Sequence, residues 1–564
     1  MKKFLSSLIV FLSFSVSIYA NEMIDVINTF KADKYALRRT YTLRESSEYY
    51  SRFNTFYGDW QKKLKNIDFE SLSNDGKADY VLLRNLIDKE TYLLDQDFGA
   101  FKEVASVVDF ADNLYSFIQR RRRGKQPDAK ALAMTFNEAE KAISEKIKTL
   151  ENAEYEDWFK AEKAAAIIYS LKTGLKEAYT FYYDYDPDFT WWMKTPYASL
   201  DQKLKEYAEF LNENYSKESQ KDDGSGIIGK PVGRKTLIKN LEFEFIPYSP
   251  ETLISTAEEQ FDWCKAEMIK ASEEMGYGKD WKAALEHVKN TYVAPGKQPE
   301  LIKNLYNHSV NFIEERDLIS IPELAKETWG MIMMTPERQK VNPFFTGGWD
   351  ISISYPTEGM SHEDKLMSMR GNNPNFSFPT VQHELHPGHN LQYFMKQRHK
   401  PYRNSFDTPF WMEGWALYWE INLWNKDFPR TPEEKMGMLF WRIHRCARII
   451  FSLKYQLGEW TPQECIAMLV DKVGHEYANA EAEVRRSFAT SYTPPLYQLA
   501  YMTGGLQFYA LRNELLEKGW TEKQFHDRVM QENNMPVAIL RLLLEDKEIP
   551  KNYKASWKFS TDFN

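Results

Sequence analysis

Apolar residues in this chain recur at helical rather than strand spacing. Leu253, Ala257, Phe261, Cys264 and Met268 follow one another at intervals of four, four, three and four, which sets them along one stripe of a helix that opens at Ser249-Pro250. Thr431-Pro432-Glu433-Glu434, Thr461-Pro462-Gln463-Glu464 and Thr521-Glu522-Lys523-Gln524 each place Thr three residues before Glu or Gln. In that arrangement the two side chains cap each other's backbone donors, and in two of the three a Pro at the first helical position adds a preset φ. Only Leu241–Ile246 (LEFEFI) and Trp349–Tyr355 (WDISISY) read as extended, the second by strict alternation of apolar and polar residues. The expected fold is mainly α with a small β-sheet, and 564 residues of which 43% are hydrophobic can bury a large core.

The segment Lys221–Gly233, KDDGSGIIGKPVG, is the most linker-like stretch. It divides an N-terminal helical region, 21–230, from a C-terminal helical region, 231–564, with one cleft expected between them. Residues 1–20 join Lys2 and Lys3 to an apolar run ending at Ala20, the pattern of a signal peptide. Export to the periplasm or the medium follows, with no integral membrane segment after cleavage, and no Cys follows Ala20 to carry a lipid. With 73 Lys and Arg against 81 Asp and Glu, a charge of -8 excludes a nucleic-acid partner held mainly through phosphates. Cys264, Cys446 and Cys465 are too few and too scattered for a disulfide framework and are expected to be buried thiols. The Arg120–Arg123 run reads as a solvated helix end.

Of ten His, three fall within seven residues, in His383-Glu384-Leu385-His386-Pro387-Gly388-His389. A catalytic zinc site needs about three nitrogen or oxygen ligands with a Glu beside them as general base, and Glu384 sits where that base belongs. His383 and His389 are six apart, about 240° round an ideal helix, so a regular helix cannot turn both to one ion. Pro387 and Gly388 allow a bulge that brings His389 back into line. His383 with His386 is the alternative ligand pair, needing no distortion. His362-Glu363 and His475-Glu476 lack a second His nearby. A carboxylate ligand is offered by Phe410-Trp411-Met412-Glu413-Gly414-Trp415-Ala416-Leu417-Tyr418-Trp419-Glu420, where Glu413 and Glu420 share a helix face. One can serve as ligand and the other as acceptor for a ligating imidazole.

HELHPGH followed by EGWALYWE resembles the bacterial family of domain of unknown function 885, whose pattern reads HExxPGH and later EGWxxYxE. The likeness continues through Glu483-Val484-Arg485-Arg486, Pro495, Tyr501, Gly504, Phe525-His526-Asp527 and Pro536. The same residues are similar to the angiotensin-converting enzyme group of zinc peptidases if two residues are inserted between HE and GH. That resemblance implies a helical, metallopeptidase-like fold with a central cleft. It implies one zinc ion on His383, His389 and Glu413, with Glu384 as base and Tyr501 as the oxyanion-stabilising Tyr. Arg486 and His526 are the remaining family-matched donors, expected to bind substrate. Asn390, Ser452 and Gln456 depart from the pattern.

The expected function is a secreted zinc peptidase acting on peptide substrates. Its rivals are an exported peptide-binding protein with a degenerate site and, further off, a non-haem iron enzyme with two His and one carboxylate. The alternating strand 349–355 offers an edge to which an extended peptide could add, or else forms a core hairpin.

Overall fold

The computed structural model describes residues 21–151, 158–215, 222–339, 344–488 and 493–559. The fold is mainly α, as expected, and the proposed signal peptide lies outside the described residues. Helices begin where the capping signals stand. Ser249 accepts from Thr252 N to open Pro250–Glu274, and Thr461 and Thr521 form complete reciprocal boxes before Pro462–Met468 and Glu522–Glu532. At Thr431 only half the box forms: the hydroxyl accepts from Glu434 N, while the Glu434 carboxylate accepts from the Arg430 backbone and guanidinium.

The stripe Leu253, Ala257, Phe261, Cys264 and Met268 is buried in full. It packs on Pro432–Gln456, a central helix that also meets Pro374–Glu384 and Tyr497–Glu517. Cys264, Cys446 and Cys465 are free, buried thiols. Pro409–Trp424 is almost wholly buried and lies against Tyr497–Glu517. Glycines set that contact: a Cβ on Gly414 would stand 2.6 Å from Gly504 Cα, and one on Gly504 would overlap the Phe410 carbonyl oxygen.

The N-terminal helices are tied to the C-terminal region by a buried ion network. Arg403 pairs with Asp79 at 2.7 Å and Glu532 at 2.5 Å, all three fully buried. Lys400 reaches Asp75 and Glu532 at 2.9 and 2.6 Å. Removing one member of such a network strands a buried charge, which costs about 3–5 kcal/mol.

Two extended segments were expected, and one is found. LEFEFI is not a strand: Leu241 and Phe243 belong to the helix Gly233–Phe243, where Leu237 and Leu241, four apart, are buried. The chain then turns at Phe245, whose φ is 54°. Five alternating residues fit a helix end as well as a strand, and the four-residue spacing upstream decides it. The strand β2, Asp350–Ile353, is real, and it pairs in parallel with β1, Gly330–Met333, so the pair is not a hairpin. The other side of β2 is bridged at Ser352 by Thr346. The edge expected to accept a peptide is thereby partly occupied by the chain itself.

Candidate metal centre

The HELHPGH stretch does not form one bulged helix. Pro374–Glu384 ends at Glu384, a four-residue break follows, and a new helix runs from His389 to Lys396. Gly388 N donates to Gln382 O across the break at 3.0 Å. The need for glycine there is one of space, since φ is an ordinary -82° but a Cβ would overlap the His383 carbonyl oxygen. Trp415, in the EGW motif, donates its indole N–H to Pro387 O at 2.9 Å, fastening the break to the helix that carries Glu413.

This arrangement brings His383, His389 and Glu413 together, with candidate donor atoms all within 4.8 Å of one another. Glu413 Oε2 stands 3.5 Å from His383 Nε2 and 3.2 Å from His389 Nε2. Donors held about 2.1 Å from a tetrahedral zinc are separated by about 3.4 Å, so the set fits that ion. Both imidazoles are oriented from behind. His383 Nδ1 lies 2.7 Å from Glu420 Oε1, as the shared helix face suggests, and His389 Nδ1 lies 3.0 Å from Gln392 Oε1. Each Nδ1 thus donates, leaving Nε2 free to ligate. Gln392 is fixed by its own bonds to Trp411 O and Met412 O. Burial works against a charged His383, but Glu413 and Glu420 outweigh it and push its pKa up to about 9. Burial would likewise raise Glu413, yet His389 and His383 hold it well below the usual carboxylate range.

His386 takes no part. It is fully buried, 2.9 Å from the Tyr306 hydroxyl, and outside the cavity into which His383 and His389 open. That cavity of about 300 Å³ also exposes Glu384, Arg445, Arg448, Arg486, Tyr497 and Tyr501. Its described lining lies entirely within residues 344–501, inside the C-terminal region rather than in a cleft between the two regions. Burial pushes the Glu384 carboxyl up, opposed by His383 and His389. Gly347 lies against Glu384, leaving no room for a side chain. Asn390 holds the adjoining turn through Trp349 O at 2.8 Å.

The Tyr501 ring stacks 6.2 Å from His383, and its hydroxyl donates to Tyr497 Oη at 3.3 Å. Tyr497 in turn donates to Glu413 Oε1 at 2.6 Å, leaving Oε2 to the histidines. Sequence reasoning missed Tyr497, although its place one helical turn before Tyr501 was a usable signal. It also missed Gln392 and Arg445. Arg486 lines the cavity, paired with Glu483 at 2.8 Å. His526 does not: fully buried, it lies between Tyr418 Oη at 2.5 Å and Leu318 O at 2.6 Å, and burial lowers its pKa to about 3. The expectation of a substrate contact there is corrected to a packing role. Among the departures, Gln456 accepts from Val232 N at 2.9 Å, and neither it nor Ser452 lines the cavity.

Fold and site together define a helical protein with a buried pair of histidines and a glutamate at the base of a cavity. The chain belongs to the bacterial family of proteins of unknown function DUF885, whose model matches residues 38–544. Two solved structures share the fold. A protein from Shewanella oneidensis, described as a candidate lipoprotein of unknown function, is 18% identical with a TM-score of 0.68, over 93% of this chain and 100% of that one. A second, from Colwellia psychrerythraea and also described as a candidate lipoprotein, is 14% identical with a TM-score of 0.58, over 93% and 98%. That description stands apart from the expectation of a chain without a lipid anchor; here the first Cys is Cys264, which is buried. No curated protein matches the sequence. Among the described residues no helix is long and apolar enough to cross a membrane.

Proposed function

We propose that the protein is an exported zinc peptidase that hydrolyses peptide bonds with Glu384 as general base. The observation that carries this reading is the convergence of His383, His389 and Glu413 in one cavity with Glu384 and Tyr501. Zinc, when bound, polarises a carbonyl and lowers the pKa of water to about 7. Glu384 accepts the proton of the attacking water, whose oxygen bonds to the peptide carbon. It then delivers that proton to the departing amine as the C–N bond breaks. Tyr501 donates to the carbonyl oxygen as negative charge develops there. Glu420 and Gln392 hold the two imidazoles in the tautomer that ligates. Export rests on residues 1–20, whose basic start and apolar run match a signal peptide.

Two imidazoles and a carboxylate suit zinc, so the purified mature protein carries about one zinc per chain by elemental analysis. Incubation with a peptide library, with and without chelator and read by mass spectrometry, gives chelator-sensitive cuts. Iron in place of zinc sinks the metal assignment, and binding without cutting favours the peptide-binding rival.

Tyr501→Phe keeps the ring and the zinc but lowers kcat about 10²–10³-fold, the usual cost of one oxyanion donor. KM changes little, because the bond is made mainly in the transition state. Near-normal kcat assigns Tyr501 to packing.

A further inference from the structure

The cavity wall beside the histidines is unusually basic. Pro432–Gln456 contributes Arg445 and Arg448, and Tyr477–Phe488 contributes Glu483 and Arg486. Glu483 is shared by two of the three guanidiniums, with Arg448 Nε and Arg486 Nη2 each 2.8 Å from it. Glu413, the ligand carboxylate of the same cavity, is engaged by His383, His389 and Tyr497.

Arg445 has no such partner. Its side chain stacks on the rings of Trp441 and Tyr501, with Cζ 5.3 and 4.4 Å from their centroids. The residue is only 9% exposed, and no carboxylate lies within ion-pair distance of it among the described residues. Its Nε, like Nη1 of Arg448, is enclosed without a hydrogen-bond partner. Burial and the adjacent Arg448 act against its charge, while Tyr501, Glu420 and Glu413 favour it from beyond ion-pair distance. A buried guanidinium without a directly bonded carboxylate is costly to a fold, and this one opens into the cavity where an anion would pair with it.

We propose that Arg445, supported by Arg448 and Arg486, binds a carboxylate of the substrate within about three residues of the cleaved bond. The planar guanidinium fork matches a carboxylate in a bidentate pair. The reach follows from two steps: Arg445 Cζ is 4.4 Å from the Tyr501 ring, and that ring is 6.2 Å from the His383 imidazole. An extended chain advances about 3.3–3.6 Å per residue, so at most about three residues span the gap. The carboxylate is either the C-terminal α-carboxylate or the side chain of Asp or Glu. This inference rests on the peptidase reading.

The test uses zinc-loaded mature protein and one cleavable peptide in several forms. These are the free C-terminal acid, the C-terminal amide, and the amide with Glu or Gln placed one to three residues beyond the cut. The carboxylate form preferred shows which source the site reads, and the expected advantage over its neutral twin is at least about tenfold in kcat/KM. R445Q brings that ratio close to one, and R445K restores part of it. A purely structural role for Arg445 lowers turnover of charged and neutral peptides alike and leaves their ratio unchanged. Equal turnover of charged and neutral peptides by the unaltered protein, or an undiminished ratio in R445Q, overturns the carboxylate site while leaving the peptidase reading intact. Failure to cut any peptide overturns the peptidase reading, and calorimetric titration with acetyl-trialanine acid and its amide then decides the subsite alone. Tighter binding of the acid by the unaltered protein but not by R445Q supports it; equal binding removes it.

Discussion

Glu384→Gln lowers peptide hydrolysis about 10²–10⁴-fold, the span expected for loss of a general base, while the zinc content stays at one per chain. The amide keeps the volume and shape of the carboxylate but cannot take a proton from water. The substitution isolates that role because Glu384 makes none of the hydrogen bonds that link His383, His389, Glu413 and Glu420. It is also sterically matched to its surroundings, with Gly347 lying against it, so an isosteric replacement disturbs little. Turnover measured on the zinc-loaded variant, beside elemental analysis of the same sample, settles the matter. Undiminished turnover removes Glu384 from the chemistry, and loss of zinc with activity would make it part of the metal-holding structure instead.

His389→Ala releases the metal, whereas His386→Ala retains it. His389 presents Nε2 to the same Glu413 oxygen that faces His383; His386 points to Tyr306 instead. Removing His389 leaves two protein ligands, too few to hold a catalytic zinc of the usual three-ligand kind through dialysis. His386→Ala has a different cost, since the buried Tyr306 hydroxyl loses its partner, which is worth about 1–3 kcal/mol of stability and is read as a lower melting temperature. Zinc determination after dialysis against a weak chelator separates the two variants. Metal retained in His389→Ala and lost in His386→Ala would transfer the ligand role to His386.

The residues that were legible in the sequence are those whose chemistry is local. Three His within seven residues, a Glu beside the first, and two Glu seven apart on an apolar helix need no tertiary information to be paired. The tertiary structure supplied what spacing could not. It joins His383 to His389 by ending one helix and starting another, not by the expected bulge, and the glycine is required for the closeness of His383 O. Arg445 was not singled out because an Arg in the helical stretch that follows Thr431 carries no local mark of chemistry. In the fold that helix is covered on nearly all sides. His526 was misread for the opposite reason: its motif neighbours suggested chemistry, while its partners are a Tyr hydroxyl and a backbone carbonyl in the core. LEFEFI shows that a short alternating run carries too few residues to fix a period against its flanks.

The glycine seam between Pro409–Trp424 and Tyr497–Glu517 has a consequence for how such a protein can change over time. Glu413 sits beside Gly414 on one helix, and Tyr497 and Tyr501 lie within two turns before Gly504 on the other. With backbones in contact there, no bulky side chain can be inserted to slide one helix along its neighbour. The arginines that line the cavity come from a different pair of helices, Pro432–Gln456 and Tyr477–Phe488. Under the proposed function, Glu413 and Tyr501 would thus be carried by one pair of helices and the arginines that would meet the substrate by another. Under that proposal, substitutions on the second pair would alter which substrate is accepted while the close-packed glycine seam stays fixed.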